Sequence, residues 1–265
     1  MEDIKPLIAT PISDLIIEPN FKEVIALSDC LETRDKSIIS DYTKQQIFHC
    51  ELQPIHTLSD ENIDYLKKIK LQKPELKLIS FHIATCYKSP KIIKNIFYPR
   101  GEKVKRERLL ENARKNFIMI KDIFGNKIKV AIENNNYYKT EAYDYVTDPH
   151  FITQIVNENN IYFLLDIAHA RITSFNTKTD YKNYINRLPL NRMIQIHIAK
   201  PGFDKNGEIF DAHNLPTKDE IEDVILFLKK YPELKYLTIE YYKNIDKLIS
   251  LLKRLNLRLN SIYGQ

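Results

Sequence analysis

The chain has 265 residues, 43% of them hydrophobic, and a formal net charge of +5. That is enough apolar content for one large buried core, and the mild, interspersed charge permits an acidic partner without requiring nucleic acid. No run of about 18 apolar residues is present, which argues against a transmembrane helix. The three cysteines, Cys30, Cys50 and Cys86, lie far apart without a Cys-x-x-Cys spacing, so neither a disulfide framework nor a thiolate zinc site is expected. The start, Met1-Glu-Asp-Ile-Lys-Pro, has two acids and no apolar stretch, so no signal peptide is expected and a soluble, cytoplasmic protein is.

No low-complexity linker, fixed-period repeat or composition break divides the chain, so a single domain over residues 1–265 is expected. Apolar runs alternate with helix-length amphipathic stretches, the pattern of βα units around a parallel sheet. The expected strands are Pro6 to Thr10, Ala26 to Glu32, Gln46 to Cys50, Lys77 to Ile83, Ile128 to Glu133, Ile161 to Asp166, Met193 to Ile198 and Tyr236 to Glu240. Helical patterns cover Asn62 to Ile69 after a Ser59-x-x-Asn62 start, and Lys105 to Phe124, stopped by Gly125-Asn126. Others cover Pro149 to Asn159, Asp180 to Leu188, Lys218 to Tyr231 and Asn244 to Leu255. Eight strands in this alternation predict an α/β fold, a (βα)8 TIM barrel, with the active site at the carboxyl ends of the strands.

Those ends carry a pattern. The third expected strand ends in Phe48-His49-Cys50, the fourth in Phe81-His82-Ile83 and the fifth in Ile132-Glu133-Asn134. The sixth ends on Asp166, and His169 returns over the strand end if a helix starts there. The seventh supplies His197 and is followed by a loop holding Asp211-Ala-His213, and the eighth ends on Glu240. Five of the chain's seven histidines fall in this set, leaving His56 and His150 outside as surface residues.

Any one of these residues is more often a hydrogen-bonded strand end than a ligand, and Asp211-Ala-His213 by itself reads equally as a turn. Four carboxylates and five imidazoles on one rim would repel or stay unpaired without cations. Nine ligand-type residues exceed the needs of one ion, so a cluster of two or three is expected, with Glu133 able to bridge. Imidazole with carboxylate and no thiolate suits iron, zinc or manganese alike.

The order of these motifs resembles the DUF692 family, the multinuclear non-heme iron-dependent oxidases of the xylose isomerase-like/endonuclease IV superfamily. The matching segments are Phe48-His49, Ser80-Phe-His82, Ile132-Glu-Asn134, Leu164-Leu-Asp-Ile-Ala-His-Ala170, Asn183-Tyr-Ile-Asn-Arg-Leu-Pro189, Gln195-Ile-His-Ile-Ala199, Phe210-Asp-Ala-His213 and Glu240. The resemblance implies a xylose isomerase-like barrel holding two or three iron ions, with O2 as co-substrate. One ion would take His49, His82 and Glu133. A central one would share Glu133 and add Asp166, His197 and Glu240, the expected catalytic group. A third would take His169, Asp211 and His213. The resemblance also implies oxidation of residues, cysteine above all, in a ribosomally made precursor peptide, in some members with a separate peptide-holding partner protein. A neighbouring ion would bind the substrate thiolate and lower its pKa.

Two departures bear on this. His169 stands where many members have Asn, as in endonuclease IV-like proteins, and Lys200-Pro201 stands where Gly-His is frequent. The alternatives are a zinc or manganese phosphodiesterase acting on nucleic acid, a one-ion sugar isomerase or epimerase, and a non-enzymatic metal-binding module. The endonuclease-type Pro-Tyr-Leu-Ile-Asn-Leu-Ala stretch is missing, so nucleic acid is the less expected partner. Nothing substantial follows the last helix, so a peptide-recognition domain would be expected on another chain. Residues 87–106 form a long basic and aromatic loop on the predicted active face, equally readable as a grip for an acidic peptide or as a solvated loop. Tyr137-Tyr138 and Tyr241-Tyr242 are expected to pack, and Cys50, by strand alternation, to point away from the site.

Overall fold

The computed structural model describes residues 5–264. Eight parallel strands close a barrel: β1 (Leu7–Pro11), β2 (Cys30–Arg34), β3 (Gln45–Cys50), β4 (Leu78–Phe81), β5 (Lys129–Glu133), β6 (Tyr162–Asp166), β7 (Met193–Ile198) and β8 (Tyr236–Ile239). Each pairs with its neighbours in sequence, and β1 pairs with β8 to close the ring. Helices α1 (Phe21–Leu27), α2 (Asp60–Gln72), α3 (Arg106–Phe124), α4 (Pro149–Glu158), α5 (Ile167–Thr177), α6 (Tyr181–Asn186), α7 (Lys218–Lys230) and α8 (Ile245–Tyr263) follow the strands.

Period-2 alternation sorts each strand. In β3, Phe48 and Cys50 enter the main apolar layer under the helices, whereas Ile47 joins the small cluster with Ala9, Cys30, Leu78, Ala131, Ile194 and Tyr236. These side chains come largely from the first half of each strand, so they fill the amino-terminal half of the barrel. The last inward positions of the strands are then left for polar groups. Cys50 points away from the rim as expected, its Sγ 3.9 Å from Asp35 Oδ1.

The helix signals in the sequence act as read. Ser59 and Asn62 form a capping box at α2, and Gly125, at φ 71°, ends α3. Four features differ. The second strand starts at Cys30, not Ala26, because Phe21–Leu27 is a helix burying Phe21 and Val24 at i, i+3. Between β2 and β3 there is only a 3-10 turn, Asp35–Ser37, while two helices follow β6. The basic loop after β4 contains a hairpin, Lys91–Ile93 with Ile96–Tyr98. A second hairpin, Lys200–Phe203 with Ile209–Asn214, follows β7, so Asp211-Ala-His213 is strand and not a turn.

Candidate metal centre

The Asp166-x-x-His169 pair has a local explanation. Asp166 is the N-cap of α5, its Oδ1 accepting from the His169 N–H at 2.6 Å. Capping uses one carboxylate oxygen and sets the helix start so that His169, at N3, lies over the strand end. The second oxygen, Oδ2, is buried and accepts no hydrogen bond.

All nine residues expected at the rim come together in one chain of contacts. Glu133 Oε2 lies 3.2 Å from His82 Nδ1 and 3.5 Å from His49 Nε2. Its Oε1 lies 3.3 Å from His197 Nδ1 and 3.8 Å from His169 Nδ1. Glu240 Oε1 is 3.2 Å from His197 Nδ1, and its Oε2 is 3.5 Å from His213 Nε2. Asp211 Oδ2 sits between His169 Nε2 at 3.4 Å and His213 Nε2 at 3.3 Å. Glu133, Asp166, His197 and Glu240 are buried; His82, Asp211 and His213 are partly exposed, His213 the most, so the centre opens most towards the second hairpin.

Sequence reasoning missed the groups that hold these ligands. Glu32, on β2, lies 2.9 Å from His197 Nε2 through Oε2, which also accepts from Gln195 Nε2 at 2.8 Å. Arg34 donates to Glu32 Oε1 at 2.7 Å and to Glu240 Oε1. Tyr242 is beside Glu240, 3.3 Å from Oε1, with its ring 5.0 Å from that of His213, so it belongs to the site and not only to the packing. Glu32 closed the expected second strand, so the strand-end rule already pointed to it. Arg34, two residues on along the same inward face, followed from alternation. Of the two histidines left outside, His150 is exposed as expected, but His56 is half-buried, 2.9 Å from the Thr85 carbonyl through Nε2.

The charge balance around these groups is tight. Burial alone would raise the Glu133 and Glu240 carboxyls, but the surrounding imidazoles, and Arg34 beside Glu240, outweigh it and hold both well below the usual carboxylate range. Burial likewise opposes ionisation of Glu32, yet His197 and Arg34 bring it down to about 2. Asp166 goes the other way: burial, reinforced by Glu240, Glu133 and Asp211, pushes it up to about 7 against the pull of His169. His82 is lowered to about 3 by burial and by His49, while His169 and His197 are raised despite burial by the acids around them.

The donor set fits metal ions. Three imidazoles each have one nitrogen tied up: His49 Nδ1 with Ser80 Oγ at 2.8 Å, His169 Nδ1 with the Asn134 carbonyl at 3.0 Å, and His197 Nε2 with Glu32. The Asn134 carbonyl and the Glu32 carboxylate only accept, so they fix the tautomers of His169 and His197 and turn the other nitrogens' lone pairs into the site, while the Ser80 hydroxyl orients the His49 ring. The remaining nitrogen of each ring faces a carboxylate oxygen at 3.3–3.5 Å, and Glu133 Oε2, Asp166 Oδ2 and His197 Nδ1 are buried without a hydrogen bond. Lone pair against lone pair is tolerable only with a proton or a cation between them. His49–Glu133–His197, Glu32–His197–Glu240 and Glu133–Asp166–His169 each offer three ligand atoms within 4.8 Å of one another. Because Arg34, Gln195 and His197 already satisfy Glu32, we assign it to orienting His197. Glu32→Gln should therefore keep the fold and weaken metal binding by about 10–100-fold, measured by competition with a chelator.

The outer end depends on the second hairpin. A Cβ on Gly202 would stand 2.7 Å from the Ala212 Cβ and 3.1 Å from Phe210 Cζ, so this strand approaches its partner too closely for any side chain. His213 sits at φ 43°, a left-handed conformation that costs a non-glycine residue about 1–2 kcal/mol. Gly202→Ala should push the strands apart and move Asp211 off His169 and His213 off Glu240. The expected result is loss of about one metal ion per chain with the thermal midpoint lowered by only a few degrees.

Fold and site define a closed (βα)8 barrel whose carboxyl face carries a His/Asp/Glu rim with candidate metal-binding groups. The chain belongs to the family of ribosomal-peptide (RiPP) precursor modification enzymes MbnB/TglH/ChrH, which it matches over residues 52–259. The resemblance to the multinuclear non-heme iron-dependent oxidases is thereby borne out at family level. Every rim residue from His82 to Glu240 lies in the matched span; Glu32, Arg34 and His49 precede it. It is 27% identical over 107 residues to a UPF0276 protein of Caulobacter vibrioides, covering 40% of this chain and 37% of that protein. A UPF0276 protein of Acaryochloris marina is 23% identical over 158 residues, 59% of this chain and 55% of the relative. The matched stretch thus spans between about two fifths and just over half of these relatives. Solved structures of similar fold include the 3-keto-D-glucoside 4-epimerase YcjR of E. coli, with TM-score 0.61 and 13% identity over 96% of this chain and 98% of that one. A D-psicose 3-epimerase from Clostridium cellulolyticum H10 gives TM-score 0.56 and 12% identity over 96% and 98%. At such identities the likeness shows the fold alone. No helix among the described residues is long and apolar enough to cross a membrane.

Proposed function

We propose that this chain holds two or three iron ions at the barrel rim and uses O2 to oxidise residues, cysteine first, of a ribosomally made precursor peptide. The observation that supports this reading most is Glu133, a buried carboxylate whose two oxygens face different imidazoles, Oε2 those of His49 and His82 and Oε1 that of His197. That is the position of a bridge. His49, His82 and Glu133 would hold one ion, and Glu133, Asp166, His197 and Glu240 a second. His169, Asp211 and His213 would hold a third at the open end. Bound iron would supply the redox capacity for O2 chemistry and a Lewis acid for a substrate thiolate.

The chain's own residues set the terms for that chemistry. Glu32 and the Asn134 carbonyl fix two imidazoles in one tautomer each, and Ser80 orients the ring of a third, His49. Arg34 compensates the charge of Glu240 and Glu32 in the dry interior. Asp211 and His213, at the exposed end, leave room for a peptide to approach from the hairpin side. The peptide is expected to need either this face alone or a separate peptide-holding protein.

The test is elemental analysis of protein purified without oxygen, followed by O2 consumption with a precursor peptide encoded beside the gene. Two or more iron ions per chain, with peptide-dependent O2 uptake, is the expected outcome. Iron-saturated protein that never exceeds about one ion per chain, or zinc-loaded protein that cleaves abasic DNA without using O2, would overturn the reading.

A further inference from the structure

The basic stretch after β4 is not used by the metal centre. Residues 88–106 hold seven cationic side chains and one acid, Glu102. Lys88 pairs with Glu102, Lys103 with Asp144, and Arg106 bonds Gln154. Lys91, Lys94, Arg100 and Lys105 enter no ion pair among the described residues and are exposed. Lys91 and Lys94 lie on the first hairpin, and Arg100 donates to the Ser89 carbonyl beside it; the turn residues Lys94 and Asn95 are both left-handed, at φ 50° and 62°, as a two-residue type I′ turn requires.

The turn fixes which backbone groups the hairpin leaves free. Ile93 and Ile96 close it, so Ile92 and Phe97 form the next, non-hydrogen-bonded pair, and their N–H and C=O groups point outward on opposite edges. The Phe97 edge is covered: its N–H donates to Tyr143 Oη at 3.0 Å, and its carbonyl accepts from Thr140 Oγ1 at 2.7 Å. The Ile92 edge has no such cover among the described residues, and Ile92 and Ile93 are 59% and 41% exposed. Lysines on a bare edge commonly serve only to blunt it against aggregation. Here the covered edge leads into the site. The Phe97 ring lies 5.9 Å from Tyr143, Tyr143 lies 5.7 Å from Tyr138, and Tyr138 Oη is 3.4 Å from the Asp211 backbone nitrogen. An aromatic wall thus joins the covered strand of the hairpin to the exposed end of the rim.

We infer that the Lys91–Ile93 edge is the docking strand for an acidic, extended segment of the peptide substrate, which adds to the hairpin as a further strand and is steered by Lys91, Lys94, Arg100 and Lys105. This rests on the peptide-oxidase reading above and deepens it by giving the substrate's docking segment a charge and a conformation. One strand residue opposite Ile92 would make two backbone hydrogen bonds, and the unpaired cations select against basic or neutral sequences.

The test uses metal-loaded full-length protein and a short labelled peptide alternating Glu and Thr, followed by fluorescence anisotropy. Binding should weaken with salt, and the double variant Lys91→Glu/Lys94→Glu should weaken it by about tenfold or more while keeping its full metal content. A peptide alternating Lys and Thr should not bind. Unchanged affinity in the double variant overturns the proposal. So does equal binding of the same peptide N-methylated at alternate residues, which removes strand addition, or tighter binding of a single-stranded oligothymidylate, which makes the patch a nucleic-acid site. These outcomes separate from failure of the oxidase reading, since metal content and peptide-dependent O2 uptake are read in the same wild-type preparation.

Discussion

Glu133→Gln should remove more than one metal ion per chain and abolish turnover, whereas His213→Ala should remove only the outermost ion. The difference follows from position. Glu133 Oε2 serves the His49/His82 pair and Oε1 serves His197, so one substitution damages two sites. Glutamine keeps the volume but replaces one oxygen by an N–H donor pointing at imidazole nitrogens. Loss of groups that merely orient metal ligands costs about 10–100-fold in affinity, and a bridging ligand should exceed that. The metal-free protein should also suffer, because removing one partner from a buried charge cluster costs on the order of 3–5 kcal/mol. His213 is partly exposed and touches only Asp211 and Glu240 among the acids, so its loss is local. The comparison is metal content and O2 uptake of both variants prepared in parallel. A Glu133→Gln protein with its full metal complement would make Glu133 a structural strand end.

The barrel was legible because apolar runs alternate with helix-length stretches, and six consecutive strands, β3 to β8, carry a ligand-type residue at or beside their carboxyl ends. His49 and Glu133 could be placed on the rim from that alone. The supporting groups were harder to see. Arg34 and Glu240 are 206 positions apart, and β2 and β8 come within reach only because both flank β1 in the closed ring. Glu32 met the rule yet was not grouped with the others, since its role depends on the ring nitrogen that His197 turns towards it, and no local pattern encodes a tautomer. The two hairpins were missed for another reason. Lys91–Ile93 with Ile96–Tyr98, and Lys200–Phe203 with Ile209–Asn214, are short, polar-flanked strands whose pairing rests on left-handed Lys94 and Asn95 and on the absent side chain of Gly202. Periodicity is blind to both. The end of the helix, Ala26-Leu27, was read as strand because only Ser28-Asp29 separates the apolar run Val24 to Leu27 from Cys30-Leu31.

Stripping the metal should make stability fall as pH rises through neutrality, and reloading should remove that slope. In the metal-free protein, protons stand where the proposed cations would bind. His169 and His197 are buried and His213 is partly buried, which alone would lower them, but the acids facing them raise all three above the usual 6.5. A histidine raised in the folded state contributes stability that is fully present below about pH 6.5 and is lost as pH rises through its higher folded value. Asp166 adds to the same slope. Its carboxyl is raised from 3.8 to about 7, so the folded chain holds that proton more tightly than the unfolded one, and stability falls between those values. Glu133, Glu240 and Asp211 are lowered and act oppositely, but only at acid pH, well below this window. Ions bound between the same nitrogens and oxygens replace the protons, so the metal-loaded protein has little left to titrate from pH 6 to 9. Zinc, which is redox-silent, is the suitable probe. At about 1,000 times its dissociation constant it should contribute about 4 kcal/mol, on the order of 10 °C in thermal midpoint for a chain of this size. The gap should widen from pH 6 to 9 as the stripped protein weakens. A stripped protein whose midpoint stays flat over that range, with no rise on adding zinc, would mean that the rim is a self-satisfied network of proton-bridged side chains and holds no metal.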